Sequence, residues 1–254
     1  KGYSLEHLLL LKSTKTEEAI GQFGEGLKML ATTSLREKIP VKFRSRDWFA
    51  MPIAQPVNID GQTIEKLSYK TVEGADKIDG SMTTFFNPSY DLLSVFNYIH
   101  NYVLPLAKNV QVLHQDNEGR IIKPNSDFGQ ATYVKGFFMA KSDNDWEFNT
   151  IFSYDFATQD IFPDRNKIDY VTLRKGIERL LANCENEFVA RRILEESKKR
   201  SGDYVEFMDL DLQGENVKEI WRNAFRSVFG EHIVLNSNNP SANYEAEHLG
   251  YKIA

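Results

Sequence analysis

The sequence predicts a mixed α/β chain of the α+β kind, built from two-layer sandwiches, and three observations carry that prediction. Short apolar stretches with strand-like alternation are followed by a helix-periodic segment, and this grammar occurs twice along the chain. A glycine-rich loop opens a further helix close to the start. Among 254 residues, 41% are apolar and 12% aromatic, enough to fill one large core or two modest ones.

Taken in order, Ser4 is placed to cap a short apolar helix that runs out into a Lys/Ser/Thr segment, Lys12 to Thr16. Three glycines then stand within six residues, Gly21, Gly24 and Gly26, ahead of a helix marked by Leu27, Met29, Leu30 and Ala31. Val41 to Ser45 alternates like a half-buried strand, and Ala50 to Ile59, Glu65 to Val72 and Ser81 to Asn87 supply three more. Gly61 and the stretch from Gly74 to Gly80 mark the turns between them. Asp91 to Ala107 carries Leu92, Val95, Phe96, Ile99 and Val103 at helical spacing. A polar stretch, Gln115 to Gln130, interrupts the pattern. Beyond it Tyr133 to Ala140 and Asn149 to Phe156 read as paired strands, and Tyr170 to Lys199 as one long helix with Leu173, Ile177, Leu180, Leu181 and Phe188 on one side. The last segment reads as an amphipathic helix from Asn216 to Phe229, a strand Ile233 to Leu235, a helix from Pro240 to Gly250, and a strand from Tyr251 to Ile253. The expected domains are 1–107, 108–205 and 206–254, the last a small β-α-β unit.

A net charge of −5 and a pI near 5.6 argue against a general electrostatic attraction to nucleic acid. A single cysteine, Cys184, excludes an internal disulfide, fits a reducing compartment and reads as packed and inert. No apolar run approaches the roughly 20 residues that span a bilayer, and the cytosol is the expected location. His7, His100, His114, His232 and His248 show no zinc-ligand spacing. Phe137, Phe138 and Trp221 read as core aromatics rather than binding platforms.

The glycine loop invites an anion. Glycines let backbone N–H groups approach a ligand with no Cβ in the way, and a helix N-terminus adds partial positive charge. The same loop also serves as a plain turn into a helix, so the loop alone leaves two readings. It is not a Walker loop, because no G-K-[ST] closes it, and no buried strand precedes it as a dinucleotide fingerprint requires.

The order of short helix, K-S-x-T segment and Ile20-Gly21-Gln22-Phe23-Gly24-Glu25-Gly26 resembles the second half of a GHKL ATPase domain, the Bergerat fold. That superfamily includes gyrase, the ninety-kilodalton heat-shock chaperones, histidine kinases, MutL and the MORC proteins, and the likeness is nearest to the chaperone and MORC branches. The resemblance implies that Gly2 is the final glycine of a D-x-G-x-G box, that Lys12 to Thr16, with Lys12, Ser13 and Thr14 as donors, form a nucleotide lid, and that Gly21, Gln22, Phe23, Gly24, Glu25, Gly26, Leu27 and Lys28 form the phosphate loop. The family's G-T strand corresponds to Gly80-Ser81-Met82-Thr83, where Ser81 keeps the hydroxyl but replaces the usual threonine. The family's catalytic glutamate, magnesium-binding asparagine and adenine-reading aspartate have no counterpart from Lys1 onward. The 254 residues are therefore expected to be a piece of a longer polypeptide, continuing also past Ala254.

The second α/β segment resembles the S5-like middle, or transducer, domain that follows the ATPase in the heat-shock chaperones, through Tyr133-Val134-Lys135-Gly136-Phe137-Phe138, Ser153-Tyr154-Asp155-Phe156 and Ile161-Phe162-Pro163-Asp164-Arg165-Asn166. That resemblance implies that Arg165 reaches the γ-phosphate, a task suited to a permanently charged, forked donor. The local alternative is a loop brace to Asp164 or Asp169. Lys28 either reaches phosphate or lies on a solvated helix face. Glu25 reads as a solvent-facing or lysine-paired residue, not as a general base.

Together these readings imply an ATP-gated conformational clamp using ATP and Mg2+, with closure coupled to homodimerisation and with a client protein that the sequence does not specify. ATP hydrolysis is expected of the full-length protein and not of this fragment. The competing expectation is a non-catalytic α/β interaction module whose glycine loop is structural.

Overall fold

The computed structural model describes residues 2–8, 26–126, 128–141, 149–157, 170–199, 202–234 and 239–253. The chain divides into two compact units, Lys1–Tyr98 and Ile99–Ala254, each a mixture of helices and sheet. Among the described residues no helix is long and apolar enough to cross a membrane.

The first unit is an antiparallel sheet of β1 (Val41–Ser45), β2 (Trp48–Ile59), β3 (Gln62–Glu73) and β4 (Ser81–Phe85) in the order β3-β2-β1-β4, covered in part by helix α1 (Gly26–Arg36). The strict alternation of β1 turns Val41, Phe43 and Ser45 inward, and Trp48 and Ala50 of β2 continue the same buried face. Ala31 of α1 closes on it, with no accessible surface left, and Leu8 joins the cluster from a short 3₁₀ turn, Leu5–Leu8. The hairpin joining β2 to β3 turns at Asp60-Gly61, both at positive φ, which is the two-residue geometry whose twist suits paired strands. β1 reaches β2 only over Trp48–Ala50, so the outer part of the β2–β3 hairpin runs on as a largely exposed two-stranded ribbon.

Where a single helix from Asp91 to Ala107 was expected, the structure has α2 (Tyr90–Asn97), a single turn α3 (Ile99–Tyr102) and a 3₁₀ turn, Leu104–Leu106. Ser89 caps α2 by accepting the Leu92 N–H at 3.3 Å. Pro105 stops the α-helical run after Tyr102, since it has no N–H to give the Asn101 carbonyl, which takes the Tyr133 hydroxyl instead. The border between the two units falls inside this segment, at Tyr98, rather than at residue 107.

The second unit holds a five-stranded sheet of β5 (Val112–Gln115), β6 (Gly119–Ile122), β7 (Ala131–Val134), β8 (Phe137–Lys141) and β9 (Ser153–Phe156), ordered β5-β6-β9-β7-β8, with β7 and β9 parallel and the other neighbours antiparallel. β6 lies inside the polar stretch expected to be irregular, with Ile121 and Ile122 buried. The expected strand from Tyr133 to Ala140 is a hairpin, because Lys135 and Gly136 both take positive φ and fold it back on itself. The expected long helix is two, α4 (Tyr170–Ala182) and α5 (Glu187–Lys199). Asn186 makes the restart: its Oδ1 accepts the Phe188 N–H at 3.0 Å, and its Nδ2 donates to the Leu113 carbonyl at 2.6 Å. Leu173, Ile177, Leu180 and Leu181 are fully buried as the spacing predicts, but the break resets the helical phase and leaves Phe188 exposed, with Val189 and Ile193 buried in its place. Cys184 sits in the break, not on a helix; burial pushes its thiol up to about 11, away from the reactive thiolate. Trp221 packs on the core, from α6 (Glu215–Phe229). β10 (Ile233–Val234) and β11 (Lys252–Ile253) pair in parallel around α7 (Pro240–His248), the small β-α-β arrangement the sequence predicts.

Two buried carboxylates organise this core. Asp155 takes Arg120 on one oxygen and the Gly136 N–H, at 2.7 Å, on the other, which joins β6, β9 and the β7–β8 turn. Glu206, 1% exposed, accepts at Oε1 from the Ile151 N–H at 2.7 Å and the Tyr154 hydroxyl at 2.8 Å, while its Oε2 has no hydrogen-bond partner among the described residues. Burial pushes the Glu206 carboxyl up to about 7 from an ordinary 4.5.

Because the folded state holds this proton more tightly than the unfolded chain, the stabilisation is complete below pH 4.5 and is lost as pH rises through about 7. Urea unfolding of the chain should therefore lose on the order of 3 kcal/mol across that window. The Glu206→Gln variant should flatten the loss; an equal pH dependence in both proteins would show that Glu206 is not its source.

Candidate functional site

The candidate site is built on one serine. Ser45 closes β1 with its side chain fully buried, and a lone hydroxyl there must find partners inside the protein. It finds three. Ser45 Oγ accepts the Tyr3 N–H at 2.9 Å, donates to the Gly80 carbonyl at 3.1 Å, and lies 2.9 Å from the Ser81 hydroxyl. One donor and two acceptor positions are all a serine hydroxyl has, and this arrangement uses each of them, with Ser81 as the second donor. The Gly2–Tyr3 backbone is pinned further: Arg46 donates to the Gly2 carbonyl at 3.1 Å and the Trp48 indole N–H to the Tyr3 carbonyl at 3.2 Å.

Gly2 has no room for a side chain. A Cβ there would stand 2.5 Å from Ser45 Oγ and 2.7 Å from the Gly80 carbonyl oxygen. The chain start and the start of β4 thus meet at the end of β1, and Ser81, itself exposed, presents its hydroxyl beside them.

At the N-terminus of α1 the setting is different. A Cβ at Gly26 would meet no atom within 4 Å, so nothing among its described surroundings demands a glycine. The first turn carries no acidic side chain. Leu27 packs on the unit's core. Lys28 is only 5% exposed, which rules out the solvated helix face considered for it.

Of the residues the sequence singled out, Gly2 and Ser81 are brought together, while Gly26, Leu27 and Lys28 form the first turn of α1. Lys12, Ser13, Thr14, Gly21, Gln22, Phe23, Gly24, Glu25 and Arg165 lie outside the described residues. Ser45 was missed. Its only signal in the sequence is a hydroxyl at an inward position of an alternating strand, where an apolar residue is expected.

No family model matches the chain, and no curated protein and no solved structure matches it either. Among the described residues no group of three or more histidine, cysteine, aspartate or glutamate side chains is placed to hold a metal ion.

The packing around Ser45 sets two expectations for thermal unfolding of the first unit. Ser45→Ala would leave the Tyr3 N–H and the Gly80 carbonyl without their partner and should cost about 1–3 kcal/mol. Gly2→Val should cost about as much by overpacking. An unchanged melting temperature in both variants would show that this cluster does not hold the unit together.

Proposed function

We propose that the first unit is the distal part of a GHKL-type nucleotide pocket and that the protein works as an ATP-gated conformational clamp. The observation that supports this reading is the meeting of Gly2 and Ser81 on the hydroxyl of Ser45. The resemblance assigns a D-x-G-x-G glycine and a hydroxyl-bearing strand start to one nucleotide pocket, and here the two candidates, far apart in sequence, are neighbours. Under this reading the antiparallel sheet and α1 belong to a Bergerat sandwich, and the mixed sheet with α4 and α5 to a transducer-type domain.

The residues present suit a nucleotide. The exposed Ser81 hydroxyl is oriented by Ser45, as a contact to a base or its water should be. The first turn of α1 has the N–H groups that a helix start leaves outside its own ladder, and it carries no acidic side chain. The described residues offer no cage for Mg2+, so no step is assigned to the metal. Bound ATP supplies the difference in contacts that shifts the clamp between open and closed forms; the protein's own part is to bind it at Ser81 and α1 and to sense the γ-phosphate through Arg165.

A non-hydrolysable ATP analogue titrated into the intact protein tests the assignment. Wild type should bind, Ser81→Ala should weaken binding several-fold, and Gly24→Asp should abolish it, because a side chain and a negative charge would both stand where phosphate sits. Equal binding in wild type and Gly24→Asp would favour the interaction-module reading instead. For turnover, Arg165→Ala in the full-length protein should depress ATP hydrolysis strongly with little change in nucleotide affinity; equal turnover would remove Arg165 as the sensor. The 254-residue chain alone should hydrolyse no ATP, and steady activity from it would overturn the alignment with the family.

A further inference from the structure

Within the second unit, the break forced by Pro105 has a consequence of its own. Beyond α3 the chain up to Gln111 leaves the α-helix and, with Ile122 to Ser126 and Tyr133, lines a cleft of about 750 Å³. Tyr133 fixes this segment, its hydroxyl donating to the Asn101 carbonyl at 2.8 Å. Leu104 is held by its N–H to the Gly136 carbonyl at 2.8 Å, and the Lys123 N–H closes the far side on the Gln111 carbonyl at 3.0 Å. The size is that of a small-molecule site.

The lining has a consistent chemistry. Leu104 and Ile122 give it an apolar wall, both buried. Lys108 and Lys123 stand on its rim, and neither is in an ion pair with any described carboxylate. No aspartate or glutamate is among the described lining residues, although the whole chain is acidic at −5. Asn101 lines the cleft at 8% exposure, and its side-chain carboxamide has no hydrogen-bond partner among the described residues. The carboxamide is therefore open to the cleft and able to serve a group bound there. Two unpaired cations, one unpaired amide and an apolar wall converge on the same space.

We propose that this cleft binds a small organic anion, a molecule with one phosphate or carboxylate group on a compact apolar body. Lys108 and Lys123 hold the anionic group, the Asn101 carboxamide gives or receives a hydrogen bond beside it, and the body rests on Leu104 and Ile122. The site is separate from Ser81 and α1 and does not rest on the nucleotide assignment.

Calorimetric titration of the full chain with phenyl phosphate, benzoate and benzyl alcohol tests it, because the three probes share a body and differ in the anionic group. Saturable binding of phenyl phosphate or benzoate, with none of benzyl alcohol, is the expected result, and the better of the two anions identifies the group. The Lys108→Gln/Lys123→Gln protein should lose about tenfold or more in affinity. Both lysines are exposed, so its circular dichroism should match wild type. Asn101→Ala should weaken binding in addition, and Ser81→Ala should leave it unchanged. Failure of both anions to saturate at millimolar concentration, equal affinity in the double-lysine variant, or loss of binding in Ser81→Ala would each overturn the proposal. The last would move the anion to the first unit.

Discussion

A polar group taken out of water must find its partners inside the protein, and in both units that requirement decides which distant segments meet. In the first unit the group is the Ser45 hydroxyl, which draws Tyr3, Gly80 and Ser81 to the end of β1. In the second it is a pair of carboxylates. Asp155 joins Arg120 to the β7–β8 turn, and Glu206 fastens the chain after α5 to the approach of β9 through Ile151, Phe152 and Tyr154. Apolar burial supplies most of the driving force in each unit and, through strand alternation, sets which side chains face inward. The polar groups add partners from distant segments, and one residue of slippage would leave them unpaired.

The same distinction separates what could be read from the sequence and what could not. The strand β1 was legible because its alternation, Val41, Phe43, Ser45, is a local signal of one buried face. The hairpin at Asp60-Gly61 was legible because that dipeptide favours positive φ twice. Lys135-Gly136 makes the same turn with a lysine in the first position, and the apolar residues on both sides hid it inside an apparent single strand. The break between α4 and α5 rests on Asn186 reaching Leu113, a contact across 73 residues that no local pattern announces. At the candidate site, Gly2 and Ser81 were legible only through resemblance to a family, and Ser45, which joins them, depends on three separate segments arriving together.

The ribbon formed by β2 and β3 illustrates how the two layers run out. α1 and β1 cover only the base of the hairpin, and beyond the Ala54–Leu67 pair it is mostly exposed. A bare two-stranded ribbon is marginal in water, so its order comes from continuity with the packed base and from the tight turn at its tip. Pro52 and Pro56 lie in the stretch of β2 that no longer pairs with β1. Neither can donate to a further strand, which suits a strand with an open edge.

A chain with net charge −5 might be thought a poor host for a phosphate or carboxylate, but the argument from total charge does not reach the sites. At physiological ionic strength exposed charges are screened beyond about 8 Å, so a bound anion feels only the groups lining its own pocket. The first turn of α1 has no acidic side chain and holds a buried lysine, Lys28. The cleft of the second unit has Lys108 and Lys123 and no described carboxylate. In both places the described lining carries no carboxylate, so the acidic total says little about either. The overall charge therefore bears on solubility and on encounters with polyanions such as nucleic acid, whose extended surface samples the whole field. It leaves small anions to be decided locally.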